Sequence, residues 1–411
     1  MKIGFIDSNL TGNGFEALRI AKELGYEVFF ITRNLDEYLS IEGSKEYFDK
    51  YVDTIIPYKM NTSESVLESI ENYHFDSILT FSDYHVVLAA EVAHKRKLLG
   101  LNPLAAARVR NKHLTRTKLQ EYSIPSPRFE KVETYSQLIK AVEKIGFPCV
   151  VKPLDESASE GVRLCTTVEE VKQQFELLVK KIVNSRGQEV HKQILVEEYL
   201  LGPEVSVEVY VKEGETKIIG ITDKKVTGIP YFVEIGHTFP SNMSLNLQQQ
   251  CEEITIKALK AIEYNFGIAH VELKLTSNGP KIIEINGRPA GDHITDLIEL
   301  STGINLVKEL ILLSVGNNSL NKPIINQAAS IHFITSEKKG TLNQVKGLEL
   351  LNCYPCVKES KINVAQGEQL KDLKSNRERL GYVLTVGNDS YEAYRSAELA
   401  IAQIQLNTKN N

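Results

Sequence analysis

Residues 281–295, KIIEINGRPAGDHIT, open as a strand that carries Glu284, Asn286 and Arg288 two positions apart. Side chains alternate along a strand, so these three share one face while Ile283 and Ile285 share the other. Just upstream, residues 270–286 read HVELKLTSNGPKIIEIN. Two strands joined by Ser277, Asn278 and Gly279 form a hairpin with a glycine where a left-handed residue is wanted. Closing it there sets Thr276 opposite Pro280 and Glu272 opposite Glu284. Two carboxylates facing each other repel unless a cation lies between them. Magnesium takes hard oxygen ligands, commonly one or two carboxylates together with phosphate oxygens. Glu272, Glu284 and Asn286 therefore read as a magnesium site that faces a polyphosphate. A single Glu-x-Asn is common on a solvated hairpin face, and it is the opposed pair that argues for a site.

Two further stretches supply partners for a nucleotide. In PCVVKPLDESASEGVRL, residues 148–164, apolar strands flank a polar loop at 155–161. Ser157, Ser159 and Gly161 let the backbone approach phosphate oxygens, and Lys152 ends the first strand as a point charge for them. The P-loop pattern G-x-x-x-x-G-K-[ST] is absent. In ILVEEYLLGPEVSVE, residues 194–208, a strand ends at Glu197 and Glu198, turns at Gly202-Pro203 and resumes at Glu204. Exposed backbone at such a hinge suits an adenine edge, and Glu204 suits a ribose diol.

Around these stretches, residues 1–100 alternate strand and helix, which implies a parallel sheet covered by helices. The turn GNGFEA places Gly12, Gly14 and Ala17 at the G-x-G-x-x-A spacing of dinucleotide-binding folds. No clean acidic residue follows about twenty positions on, so the glycines read as a tight strand-to-helix turn. Strands dominate from about residue 148, and the chain closes with a helix over SYEAYRSAELAIAQIQL and a polar tail, NTKNN, expected to fray. The composition, 42% hydrophobic and 25% charged, is that of a globular domain. A formal net charge of -5 speaks against a nucleic-acid surface. No apolar run reaches the roughly 18 residues of a membrane helix. The opening MKIGFIDSNL reads as a first strand and not as a signal peptide. Five cysteines, with Cys353 and Cys356 as a lone CxxC, read as reduced thiols of a cytoplasmic protein.

NKHLTRTKLQ, PCVVKP with its Ser/Gly loop, ILVEEYLLGPE, HVELKLT and IIEINGRPAGDH occur in that order. Together they resemble the ATP-grasp superfamily. PYFVEIGHTFPS and the stretch from Glu284 to Leu306 are similar to its carboxylate–amine ligases that join L-amino acids. The resemblance implies an α/β fold with α+β grasp lobes. It divides the chain into a leading parallel-sheet domain (1–111), a small lobe or lid (112–200), a large lobe (201–320) and a C-terminal mixed domain (321–411). By position it assigns ATP to Lys112, Lys152, Ser157, Ser159, Gly161, Glu197, the Leu200 backbone and Glu204. It assigns two magnesium ions, which manganese could replace, to Glu272, Glu284 and Asn286. Arg288 and Lys152 take the catalytic roles, and Asp83, Glu234, His237, Arg288, Asp292, His293 and Asp296 the substrate side. The implied reaction runs through an acyl phosphate and releases ADP and phosphate. The implied partners are amino acids, with no nucleic acid and no membrane, and a homodimer is allowed. A biotin-dependent or purine-pathway carboxylating enzyme and a non-catalytic ATP sensor are the alternatives.

Asp83, Glu234, Asp292 and Asp296 make the expected substrate side acidic. Unpaired carboxylates in a cleft are costly, so a cationic first amino acid, arginine before others, is expected. The metal assignment has a direct consequence. Glu284→Ala is expected to abolish ATP turnover, because it removes a ligand of the ion that stabilises phosphoryl transfer. Phosphate release by the folded variant at near wild-type rate would overturn the assignment.

Overall fold

The structure, a computed structural model, describes every residue except 10–11, 228, 318–319, 321, 337–338 and 410–411. The leading sheet is parallel. Strand β1 (Lys2–Ile6) lies between β2 (Glu27–Thr32) and β4 (Ser77–Leu79), with β3 (Thr54–Pro57) outermost. Its strands are nearly unbroken apolar runs because both faces are covered. Ile3, Phe5 and Phe30 enter one core, while Ile6, Phe29 and Ile31 enter another. The glycines after β1 serve a tight turn into the helix Asn13–Glu23. Gly12 has φ +64°, and a Cβ on Gly14 would lie 2.5 Å from the Asn9 carbonyl oxygen. Asp7 and the turn Asp83–His85 follow β1 and β4, at the strand ends where open α/β sheets hold ligands.

The small lobe is a four-stranded antiparallel sheet. Its strands are β5 (Phe129–Val132), β6 (Cys149–Pro153), β7 (Arg163–Cys165) and β8 (Ile194–Glu198), in the order β5-β8-β6-β7. The helices Tyr135–Ile145 and Val168–Lys180 bury Leu138, Val142, Val171 and Phe175 against it. Cys149 faces Cys165 in this sheet, and all five thiols are free.

The large sheet has eight strands. β9 (Glu204–Lys212), β10 (Glu215–Val226), β11 (Glu234–Phe239), β12 (Phe266–Thr276), β13 (Gly279–Asn286) and β14 (Ala328–Ile334) are joined by β16 (Val357–Ile362) and β18 (Gly381–Gly387). Their order is β13-β12-β9-β10-β11-β14-β18-β16. Pairing of β11 with β14 carries the sheet across the expected boundary at 320/321, and residue 321 lies outside the described residues. Among the described residues no helix is long and apolar enough to cross a membrane.

Two details differ from the sequence reading. The hairpin turns over two residues, so Thr276 faces Gly279 and Leu275 faces Pro280. A bulge between Glu272 and Leu273 then restores the alignment, and Glu272 does face Glu284. One extra residue in a strand reverses its alternation. Ile282 and Ile285 are therefore the buried pair, and Ile283 is half-buried. The C-terminal helix ends at Ala402, and Gln405–Lys409 forms β19 beside β15 (Gly340–Lys346). Polar composition suggested a frayed end. The ladder of β15, flanked on its other side by the short strand β17 (Gln369–Leu370), overrides it. The last two residues of that tail lie outside the described residues.

Candidate active site

The paired strands β12 and β13 bring Glu272 and Glu284 directly opposite, and place His270 opposite Asn286. Each carboxylate uses one oxygen within the protein. Glu272 Oε1 lies 2.9 Å from Lys224 Nζ and 3.0 Å from His270 Nε2, and Glu284 Oε1 lies 3.0 Å from Lys112 Nζ. Among the described residues no hydrogen bond reaches the second oxygen of either carboxylate or the Asn286 amide. Three hard oxygens with unused lone pairs on one face suit magnesium.

The same face of the sheet carries a buried ionic layer. Lys224 Nζ is 3.0 Å from Glu204, 3.1 Å from Glu234 and 2.9 Å from Glu272, and its side chain is 1% exposed. Burial pulls the ammonium's pKa down, but Glu234, Glu272 and Glu204 outweigh it and hold the pKa well above the ordinary lysine value. Burial likewise favours the neutral form of Glu272, yet Lys224 and His270 hold its carboxyl well below the usual range. His270 bridges Glu208 at 2.8 Å and Glu272 at 3.0 Å. Burial lowers its pKa, Glu208 and Glu272 raise it, and the balance lifts it to about 10.

The expected nucleotide side is also tied to this ribbon. Lys112 starts the helix Lys112–Glu121, and its Nζ donates to the Glu156 carbonyl at 2.7 Å besides meeting Glu284. Lys152, on β6, is 2.6 Å from Glu197 on β8, and Arg116 Nε donates to the same carboxylate at 2.8 Å. The Glu197 carboxylate is thus engaged by two cations and buried. Arg116 also donates to the Ile283 carbonyl, next to Glu284. Ser157, Ser159 and Gly161 lie in the loop between β6 and β7, where Ala158, Ser159 and Gly161 have φ of +59°, +58° and +73°. Leu200 is half-buried after β8, and Glu204 meets Lys274 at 3.0 Å as well as Lys224.

On the expected substrate side, Arg288 donates to the Asp83 carboxylate from the leading sheet and, at 2.8 Å, to the Pro289 carbonyl. His237 Nε2 is 3.2 Å from Glu234 and 4.0 Å from Asp292. Arg379 grips Asp292 with two bonds, 3.0 and 2.6 Å. Burial alone would raise the Asp292 pKa; Arg379 and His237 hold it well below the usual range. Glu234, His237 and Asp292 offer ligand atoms within 4.8 Å of one another, but Lys224 and Arg379 already neutralise the two carboxylates. His293 and Asp296 stand apart as a pair at 2.6 Å, beside Tyr382.

Every acid expected to leave charge on the substrate side therefore has a protein partner. Asp83 has Arg288, Glu234 has Lys224, Asp292 has Arg379 and Asp296 has His293. The sequence reading had missed Lys224, Arg116, His270 and Arg379. Arg116 carried a signal, standing four residues after Lys112 on the same helix face. Lys224 carried a weaker one, a lysine inside the strand run KIIGITDKKV. Arg379 meets Asp292 across 87 residues, a distance no local pattern spans.

Known proteins resemble this chain in parts of its sequence and in its fold. A family model described as an ATP-grasp domain matches residues 145–296, and one described as L-amino acid ligase C-terminal domain 2 matches residues 332–409. The fold is similar to that of a solved L-amino acid ligase from Bacillus licheniformis, with a TM-score of 0.83, 20% identity and coverage of 100% of this chain and 99% of that one. Carnosine synthase 1 of Gallus gallus is 27% identical over 67% of this chain and 32% of its own length. Alanine–anticapsin ligase of Bacillus subtilis is 25% identical over 60% of this chain and 56% of its own. A formate-dependent phosphoribosylglycinamide formyltransferase of Sulfurisphaera tokodaii is 25% identical over 84% of this chain and 82% of its own.

The bridged His270 makes stability depend on pH. Its folded pKa of about 10 lies above the ordinary value of 6.5, so its stabilisation is complete below 6.5 and is lost as pH rises through 10. Thermal melts of the metal-free protein are expected to fall across that window, and to fall less in His270→Gln. An equal fall in both would show that His270 is not the titrating group.

Proposed function

We propose that this chain, an ATP-grasp protein carrying an L-amino acid ligase C-terminal domain 2, is an ATP- and magnesium-dependent ligase that joins two L-amino acids into a dipeptide. The observation that carries this reading is the arrangement on β13. Glu272 and Glu284 oppose each other on the ribbon, and Arg288, just past its end, offers a guanidinium for a carboxylate.

In this reading the first amino acid's carboxylate takes the γ-phosphoryl group of ATP, giving an acyl phosphate and ADP. The second amino acid's amine attacks the acyl carbon, and phosphate leaves. Magnesium held by Glu272, Glu284 and Asn286 would neutralise phosphate charge. Lys112 and Lys152 add fixed positive charge at the transferring phosphoryl group. Arg288 binds the donor carboxylate through two parallel bonds, exchanging Asp83 for it, and then holds the oxyanion of the tetrahedral intermediate. Glu234 and His237 would meet the donor's amine, and the 155–161 loop would keep water from the acyl phosphate. The names of the ligase relatives and the matched C-terminal domain support amino acids as substrates. The match to a formate-dependent phosphoribosylglycinamide formyltransferase favours the second reading, another ATP-grasp enzyme, whose ATP turnover would need a different acid, such as formate or bicarbonate, and no amino acid.

A basic donor, arginine first, rests on less than the acidity of the sequence suggested, since Arg288, Lys224 and Arg379 compensate three of the four acids. Its remaining support is Asp296, side chain 37% exposed, whose partner is a histidine and not a permanent cation. The test is phosphate release with ATP and magnesium across the twenty L-amino acids in pairs, with products identified by mass. Dipeptide formation is expected, with arginine or lysine preferred in first place. Strong turnover with alanine and none with arginine or lysine would remove the basic donor and leave the ligase. No release with any pair would contradict the ligase itself.

A further inference from the structure

The loop at 155–161 is anchored from outside its own lobe. Its Ala158 and Ser159 both adopt left-handed φ, +59° and +58°. Such a conformation is unfavourable for a non-glycine residue, so neighbouring contacts must hold it. Two short segments supply them, and each also touches the amino-acid side of the site.

The first is Asp83–Tyr84 on the leading domain. Asp83 accepts from Arg288. The Tyr84 hydroxyl donates to Glu156 Oε2 at 3.0 Å and accepts from Ser157 Oγ and Ser185 Oγ, each at 3.1 Å. That fills the bonding capacity of a phenol. Its ring lies under the Arg110 guanidinium, 4.8 Å away, which fixes its direction. The second segment, Asn376–Arg379, comes from the C-terminal domain. Asn376 accepts from the Glu234 backbone at 3.0 Å and donates to Asp292 at 3.3 Å, while its own N–H reaches the Ala158 carbonyl at 3.4 Å. Arg377 lies 3.3 Å from Glu160 and donates to Ser185 Oγ at 3.0 Å. Adjacent residues thus hold the loop with one side chain and the amino-acid side with the next.

We infer that Tyr84 and Arg377 are positioning residues that couple closure of the 155–161 loop to occupation of the amino-acid site. The inference rests on the ligase reading. When a donor carboxylate takes Arg288 from Asp83, the turn that carries Tyr84 is the element that feels the exchange. Loosening the loop exposes the acyl phosphate to water. Water then adds to the acyl carbon, the bond from that carbon to the phosphate oxygen breaks, and the carboxylate and inorganic phosphate are released. The net reaction is ATP hydrolysis to ADP and phosphate.

The experiment measures phosphate and dipeptide together in the full-length protein, with the amino-acid pair that the wild type uses best. Wild type is expected to give a ratio of about one. Tyr84→Phe, which keeps the ring on Arg110, and Arg377→Met are each expected to raise it to about five or more, with ATP still consumed, because a loosened lid admits water. Arg377→Lys should restore part of the coupling by keeping charge near Glu160. A merely structural role would lower both products together at a ratio near one, and that result in Tyr84→Phe overturns the inference even if Arg377→Met fails to fold. Wild-type protein that makes no dipeptide from any pair contradicts the ligase reading instead.

Discussion

One buried ammonium organises the site. Lys224 Nζ sits within 3.1 Å of carboxylates on three strands, Glu204 on β9, Glu234 on β11 and Glu272 on β12. Three acids this close would repel strongly in a medium that screens poorly. A single cation among them, with Lys274 on Glu204 and His270 on Glu272, makes the cluster tenable. Each acid has a different expected partner: the ribose for Glu204, the amino acid for Glu234 and the metal for Glu272. One side chain, Lys224, thus holds these three carboxylates relative to one another. Removing one partner of such a buried group leaves uncompensated charge and is strongly destabilising.

The layer also explains how the chain can set two acids face to face. Glu272 and Glu284 turn one oxygen each toward a cation of the protein, Lys224 and Lys112, and leave the other oxygen without a hydrogen bond among the described residues. Lys112 starts a helix whose Arg116 reaches Glu197 and the ribbon's own backbone at Ile283. The β5–β8 sheet and the ribbon are thereby joined through charged contacts, and Asp83, after β4, reaches the same region through Arg288.

Much of this was legible in the sequence, for a physical reason. Strand alternation and a short hairpin loop are local, so the opposition of Glu272 and Glu284 could be read from seventeen consecutive residues, His270 to Asn286. The loop length was misjudged by one and a bulge compensated, which kept the acids aligned while exchanging Ile283 for Ile282 in the core. The parallel leading sheet was legible from the alternation of strand and helix over residues 1–100. Charge compensation was not, because it is made by partners far apart in the chain. Arg379 reaches Asp292 across 87 residues, and Lys224 on β10 meets Glu204 on β9, Glu234 on β11 and Glu272 on β12. An acidic count along the chain therefore overstated the charge left for a substrate. The strand β19 was hidden for a similar reason: a polar end becomes ordered only because β15 has an edge for it.

In the proposed reaction the donor carboxylate is activated by taking a phosphoryl group from ATP. The most direct measurement follows oxygen. The donor amino acid that supports turnover is labelled with ¹⁸O in its carboxylate, and the phosphate released during dipeptide synthesis is examined by mass spectrometry. An acyl phosphate predicts one ¹⁸O atom in the phosphate for each dipeptide formed, since the bridging oxygen leaves with phosphorus. Phosphate free of label, with dipeptide formed at a normal rate, would contradict the account.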